Sequence, residues 1–489
     1  MTVAPRTSHL HEAPPEPTRL TALERLELLC DPGSLRTIRG AVTSRRMGAK
    51  ARAGDGVVGG AGLIDGRPVY CYAQDASFAG GSLGAAHADT IVRVLQLARE
   101  ARVPAVGFVE SGGARMQEGT AALGGYGRIF REHVRASGLI PQISVICGTS
   151  AGGGSYSPAL TDFVMMTRES RMFLTGPGIV QEALGEDVSA EDLGGPRVHE
   201  RNGVCQFVAE DDAEAIYMTR ELLSYLPQNA HEAVPPRPFS TRAGFDPGHC
   251  VPHEARRVYD VRDVIRGVCD NVRMLEVSER WARNMVTAFA RIEGESVGII
   301  ANQPKFLGGT IDAEAAQKAA RFVRTCNSFG LPLVVFVDTP GFLPGTRQEQ
   351  AGVIRHGAKL LHAFAEATVP KLTVVLRKAF GGAYITMNSR DLGADFAFAW
   401  PEAEIGVMGA KQAVGIISRR DIAGAEDPEA HRESLAGSYA EEHLSAQLAA
   451  QEGFIDEVIE PGETRDRLSW ALTSLPKERS RPLAGNIPL

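Results

Sequence analysis

Four times along the chain a proline opens a run of β-branched and apolar residues that ends in glycine. The runs are Val103–Val109, Ile140–Ile146, Leu331–Val337 and Val369–Leu376. Runs of this length and composition, bounded by turn residues, predict strands buried on both faces, as in a parallel sheet. They lead into Ser111-Gly112-Gly113-Ala114, Gly152-Gly153-Gly154, Thr339-Pro340-Gly341-Phe342 and Gly381-Gly382-Ala383. Helical periodicity predicts helices over Ala88–Ala98, after Gly80-Gly81-Ser82, and over Ala313–Cys326, after Gly308-Gly309-Thr310. Two strand pairs precede them. Gly56–Leu63 and Pro68–Asp75 are joined by Asp65-Gly66, and Val286–Ile292 and Ser296–Asn302 by Glu293-Gly294-Glu295, both good hairpin signals.

The spacing repeats. Pro104 and Pro332 are 228 residues apart, as are Tyr156 and Tyr384, whereas Pro141 and Pro370 are 229 apart. Landmarks that recur in one order at one offset mark an internal duplication, and the fold class is α/β, with two copies of one domain. The expected organisation is a disordered arm at 1–19, a first domain at 20–227, a linker at 228–251 and a second domain at 252–489. Leu20–Leu29 reads as a short amphipathic helix. The linker carries Pro235, Pro236, Pro238 and Pro247. Glu426–Gln451 reads as one charged, Ala-rich helix on the surface or between subunits, and Arg481–Leu489 as irregular.

Composition narrows the partners. A net charge of −7 gives no reason to expect nucleic acid or a membrane surface, and 44% hydrophobic residues suffice for two cores. The seven cysteines include no C-x-x-C pair, which suits reduced thiols and argues against a zinc ribbon. No apolar run approaches the ~20 residues of a membrane span, and residues 1–17 lack a signal-peptide core; a soluble cytoplasmic protein is expected. The basic stretch with Arg45, Arg46 and Lys50 is either a solvated face or a phosphate contact.

The chemistry is first one of absences. The phosphate-loop pattern fails because Gly48, Gly357 and Gly409 each precede Ala-Lys, and neither a dinucleotide G-x-G-x-x-G after a strand nor H-E-x-x-H occurs. Gly148-Thr149-Ser150-Ala151-Gly152 fits the nucleophile elbow G-x-S-x-G, with His199 and His231 downstream. The duplicate turn has Lys378-Ala379-Phe380 there, so the repeat keeps glycine-lined backbone rather than a serine. Backbone amides from neighbouring strand ends aimed at one point would form an oxyanion hole in each copy, which implies two carbonyl-bearing reactants.

These residues resemble the carboxyltransferase (β) subunits of biotin-dependent acyl-CoA carboxylases, of the actinobacterial single-chain type, from about Leu20 to Leu489. The resemblance rests on Glu110–Gly119, Tyr156–Asp162, Phe173–Pro177, Val337–Gly345, Arg355–Leu361, Ala399–Pro401, Val407–Ala410 and Gly485–Leu489. It implies two crotonase-like domains. The first would bind acyl-CoA, with the Gly152 and Gly153 amides on the thioester oxygen of the forming enolate. The second, from a neighbouring subunit, would bind carboxybiotin, with the Gly382 and Ala383 amides on the ureido oxygen. Ser111, Gly112, Gly113, Ala114 and Tyr156 would line the first site, and Thr339, Pro340, Gly341, Phe342, Tyr384 and Ile385 the second. Arg45, Arg46 and Lys50 would meet the CoA phosphates.

The resemblance further implies a hexamer with active sites across a dimer interface. It implies a separate biotin carboxylase chain bearing the biotinylated carrier, and no ATP site or metal in this chain. An apolar Ile385 favours acetyl-CoA and propionyl-CoA without deciding between them, since one methylene is worth only ~1–3 kcal/mol. Gly154-Ser155 replaces the bulkier pairs of common relatives. The rival readings are an acyl-CoA decarboxylase or transcarboxylase subunit, a serine hydrolase using Ser150, and a non-catalytic scaffold.

Overall fold

The structure is a computed structural model that describes residues 19–241, 244–254, 257–476 and 486. Among these, two eight-stranded sheets carry the fold, and their strand orders mirror each other. The first runs Arg36–Ile38, Val57–Ile64, Arg67–Gln74, Ala105–Ser111, Gln142–Ala151, Phe163–Thr167, Phe207–Ala209, with Arg171–Phe173 on the far end of Gln142–Ala151. The second runs Met274–Glu276, Met285–Ile292, Glu295–Asn302, Leu333–Thr339, Lys371–Phe380, Phe396–Ala399, Glu457–Val458, with Glu404–Gly406 on Lys371–Phe380. The hairpin of each sheet is antiparallel, and the strands that end in the glycine turns are parallel.

Alternation along the buried strands explains the layering. Val335 and Val337 face the core shared by the two halves, while Val334 and Phe336 face the helices Val261–Val268 and Thr464–Ser474. In the shared core Phe289 touches Phe163, Tyr225 and Phe322 at centroid separations of 5.9, 6.1 and 5.1 Å. The crossover helices are Ala85–Ala101 and Thr120–Ala136 in the first half, and Ala313–Ser328 and Val353–Glu366 in the second.

Several expectations shift. The Glu426–Gln451 segment is two helices, Pro428–His443 and Ala446–Gln451. The chain breaks because Leu444 is buried and its carbonyl accepts from Ile405 N at 2.8 Å, while Ser445 caps the second helix. The proline-rich connection is strapped to both halves, through Ala230 N on Leu139 O at 2.9 Å and Arg237 N on Gly294 O at 3.1 Å. Of the expected arm only Arg19 lies among the described residues, and of the 481–489 tail only Asn486.

Candidate functional site

Each glycine turn is a strand that stops abruptly and re-enters as a helix. Gly152 and Gly381 take positive φ, +58° and +60°, which a side chain would strain. The helices Gly153–Ala159 and Gly381–Thr386 come next. A helix cannot satisfy its own first amides, and two glycines there leave the backbone open to a ligand.

The register shows which residues correspond. Ser150 pairs with Ser111, and Ala379 with Thr339, so the turns are related by an offset of 229. Gly152 therefore matches Gly381, and Gly153-Gly154 matches Gly382-Ala383. Tyr156 matches Ile385 rather than Tyr384, because one residue is gained ahead of the second turn; both are about half exposed. Tyr384 instead donates to Phe454 O at 3.2 Å, and burial pushes its phenol up to about 12.

The assignment of Gly152 as an amide donor is corrected by its geometry. Its N–H is committed to Phe173 O at 3.1 Å. The open amides are those of Gly153 and Gly154, as the repeat demands. The Ser111–Ala114 loop likewise uses its amides internally: Gly112 donates to Gly80 O at 3.0 Å and Gly113 to Ser111 Oγ at 3.2 Å. Gly341 donates to Thr339 Oγ1 at 3.3 Å. The Gly112, Gly113 and Gly341 amides are therefore already bonded within the protein.

The two turns differ in what stands behind them. A Cβ on Gly153 would lie 2.7 Å from the Tyr126 ring, whose hydroxyl is 3.4 Å from Ser111 Oγ. A Cβ on Gly382 would find only the Phe342 ring, at 3.9 Å. The first turn is tightly backed, and the second opens onto free space beside Phe342. Pro340 lies in the loop that leads to Phe342.

The basic stretch forms a short turn, Arg45–Lys50, with Arg45, Arg46 and Lys50 exposed. It abuts the loop after Ala114, because Ser44 donates to Glu118 Oε1 at 2.8 Å. The same carboxylate receives Arg115 Nη1 at 2.9 Å and Ala85 N at 2.8 Å, and Arg115 Nη1 also meets Asp55 at 2.7 Å. Arg115, Asp55 and Glu118 are fully enclosed. Sequence reasoning missed this network; its signal was the density of charges inside the Glu110–Gly119 motif.

Ser150 does not form a hydrolase site. Its hydroxyl is fully buried without a hydrogen-bond partner, and His199 Nε2 bonds to Met172 O at 2.6 Å. Among the described residues no group of three or more His, Cys, Asp or Glu is placed to hold a metal ion, and no helix is long and apolar enough to cross a membrane.

A mirrored pair of α/β sheets, each with a strand stopping at a glycine turn, defines the tandem crotonase-like class. Residues 16–485 match the carboxyl transferase domain family, and the chain belongs to it. It is 47% identical over 96% of its length to the carboxyltransferase subunit of propionyl-CoA carboxylase from Haloferax mediterranei, covering 94% of that protein. It is equally identical, at the same coverage, to the alpha subunit of methylmalonyl-CoA decarboxylase from Veillonella parvula, covering 93% of it. The fold superposes with a TM-score of 0.91 on transcarboxylase 12S, a hexamer described with methylmalonyl-coenzyme A and methylmalonic acid bound. That structure is 45% identical, with 96% of this chain and 92% of that one covered.

Proposed function

We propose that this chain is the carboxyltransferase subunit of a biotin-dependent acyl-CoA carboxylase, moving CO2 from carboxybiotin to the α carbon of a short acyl-CoA. The observation that carries this is the duplication of one turn, with Gly152 and Gly381 both at positive φ, +58° and +60°, and a short helix starting at each. One turn serves each carbonyl reactant. The Gly153 and Gly154 amides stabilise the thioester oxygen as it gains charge, in a site walled by Ser111, Ala114 and Tyr156. The Gly382 and Ala383 amides hold the ureido oxygen of biotin; the open Cβ position at Gly382 and the Phe342 face fit a flat ring system. Biotin, carried on a partner chain, supplies the CO2 and the base that takes the α-proton, in keeping with the absence of any role for Ser150. The exposed Arg45, Arg46 and Lys50 would meet the CoA phosphates.

The named relatives act on propionyl-CoA and methylmalonyl-CoA, which favours the C3 acyl chain, with acetyl-CoA as the shorter alternative. The decarboxylase and transcarboxylase relatives support the same two sites running in reverse. Exposed apolar residues beside the turns, Leu174, Ile179 and Leu184 in one half and Val407, Ile416 and Ile417 in the other, support a homo-hexamer that closes each site with a neighbouring subunit. A cytoplasmic location and a separate biotin carboxylase and carrier chain complete the reading.

The test needs no partner. Purified protein is given methylmalonyl-CoA or malonyl-CoA with free biotin and no ATP, and the appearance of propionyl-CoA or acetyl-CoA is measured. Biotin-dependent decarboxylation, abolished by Gly382→Val and unaffected by Ser150→Ala, is the expected result. A folded hexamer lacking biotin dependence would overturn the reading, and the faster substrate identifies the acyl group.

A further inference from the structure

Just before each glycine turn the strand ladder is uneven. Val109 pairs with Ile146 and Ser111 with Ser150, so Glu110 alone faces Cys147, Gly148 and Thr149. In the second half Val337 pairs with Val375 and Thr339 with Ala379, so Asp338 alone faces Leu376, Arg377 and Lys378. A bulge of this kind bends the strand and re-aims its continuation, which here is the glycine turn itself.

Both bulges are filled by one design. The amide of the lone acidic residue donates to a side-chain amide oxygen on the next strand, Gln74 Oε1 at 3.0 Å for Glu110 and Asn302 Oδ1 at 3.3 Å for Asp338. Its carbonyl occupies the place of a Cβ on Gly81 or Gly309, which explains the glycine pairs ahead of the crossover helices. Its carboxylate takes a guanidinium. In the second half the guanidinium belongs to the bulge: Arg377 lies 3.1 Å from Asp338 Oδ2 and donates to the carbonyl of Arg257 at 2.9 Å. In the first half the equivalent position, 229 residues earlier, is Gly148. There Arg19 reaches in from the chain's start to the Glu110 carboxylate and donates to Cys147 O at 3.1 Å. A Cβ on Gly148 would collide with that guanidinium and with Glu110 Oε1, so the missing side chain is the room that Arg19 uses. Arg25 adds a second contact to Glu110, at 3.2 Å.

We propose that Arg19 and Arg377 are equivalent positioning residues, each holding its bulge at the width that sets a glycine turn against the neighbouring loop. Arg19 serves the acyl-CoA turn and Arg377 the biotin turn, an allocation that rests on the proposed roles of the two turns. The first site is therefore completed by a residue 91 positions from the carboxylate it holds, on a side chain that is 56% exposed.

The experiment is Arg19→Ala in the full chain, measured beside the native protein in the ATP-free assay with methylmalonyl-CoA and free biotin. Misplacing a turn by about 1 Å costs on the order of a hundredfold in rate. The expected result is a fall of about tenfold to a hundredfold in kcat, with KM for biotin unchanged and native assembly retained. Adding Gly148→Arg to Arg19→Ala moves the guanidinium to the place used in the second half and recovers most of the loss. Arg19→Lys retains part of the activity, because a single nitrogen, Nη2, makes both contacts and an ammonium can also donate to two acceptors. Should the double variant fail to fold, guanidinium ion added to Arg19→Ala provides the same rescue. Native activity in Arg19→Ala, or a folded double variant without recovery, would overturn the proposal. Inactive native protein would instead count against the functional reading. The bulge itself is probed by amide exchange at Glu110, whose N–H is bonded to Gln74 Oε1; Arg19→Ala accelerates it if the proposal holds and leaves it unchanged if it does not.

Discussion

Replacing Gly382 by alanine separates ligand space from protein packing. A Cβ there meets nothing nearer than the Phe342 ring at 3.9 Å, which is ordinary van der Waals contact, and the residue's φ is not in the left-handed region. The position lies in the first turn of Gly381–Thr386, where alanine is better than glycine by about 0.5–1 kcal/mol. Folding should therefore be unharmed or slightly improved. The methyl group projects into the open space in front of the turn, where the ureido oxygen is assigned. Displacing that oxygen from one amide donor costs about 3–4 kcal/mol of transition-state stabilisation, or about 10²–10³ in kcat. The assay is biotin-dependent decarboxylation of methylmalonyl-CoA, with thermal denaturation measured on the same sample. A Gly382→Ala protein with native melting and a kcat within about threefold of native would refute the placement of a reactant at this turn, since a lost donor costs far more. Gly153→Ala makes the contrast. Its Cβ would press on the Tyr126 ring at 2.7 Å, so activity falls together with about 1–3 kcal/mol of stability from overpacking.

Three buried groups give further expected outcomes. Arg115→Ala leaves the enclosed Asp55 and Glu118 carboxylates without their cation, and a loss of about 3–5 kcal/mol in urea denaturation is expected. Ser150→Ala removes a buried hydroxyl that has no partner, so decarboxylation should be unchanged and stability equal to native within about 0.5 kcal/mol. Burial pushes the Asp162 carboxyl up to about 6, against the amide of Gln142 that donates to it at 2.9 Å. Between about pH 4 and 6 the folded chain then holds a proton that the unfolded chain has released. Stability therefore falls as pH rises through that window, by up to about 3 kcal/mol. Denaturation midpoints on either side of that window should show this component in the native protein and lack it in Asp162→Asn, whose side-chain oxygen still accepts from Gln142.

The parts of the molecule legible in the sequence are those governed by local rules repeated twice. Val103–Val109 and Leu331–Val337 read as buried strands because both of their faces are covered, and the glycine turns stand out because L side chains avoid the φ of Gly152 and Gly381. What could not be read is which amides remain open, since that depends on partners distant in sequence. Gly152 looks as available as Gly153 until Phe173 O is placed beside it, and Gly112 looks free until Gly80 O is found on its N–H. The tyrosine landmarks misled for a related reason: identity at a 228-residue spacing is weaker than strand register, which aligns Ser150 with Ala379 and so Tyr156 with Ile385. The same register turns an apparent irregularity into a rule. A carboxylate that needs a cation is present in both halves, but the cation is local in one and supplied from the distant Arg19 and Arg25 in the other. A duplicated site is thus preserved as a charge balance within each bulge, which no comparison of the two copies residue by residue would reveal, because the matching position in the first copy is a glycine.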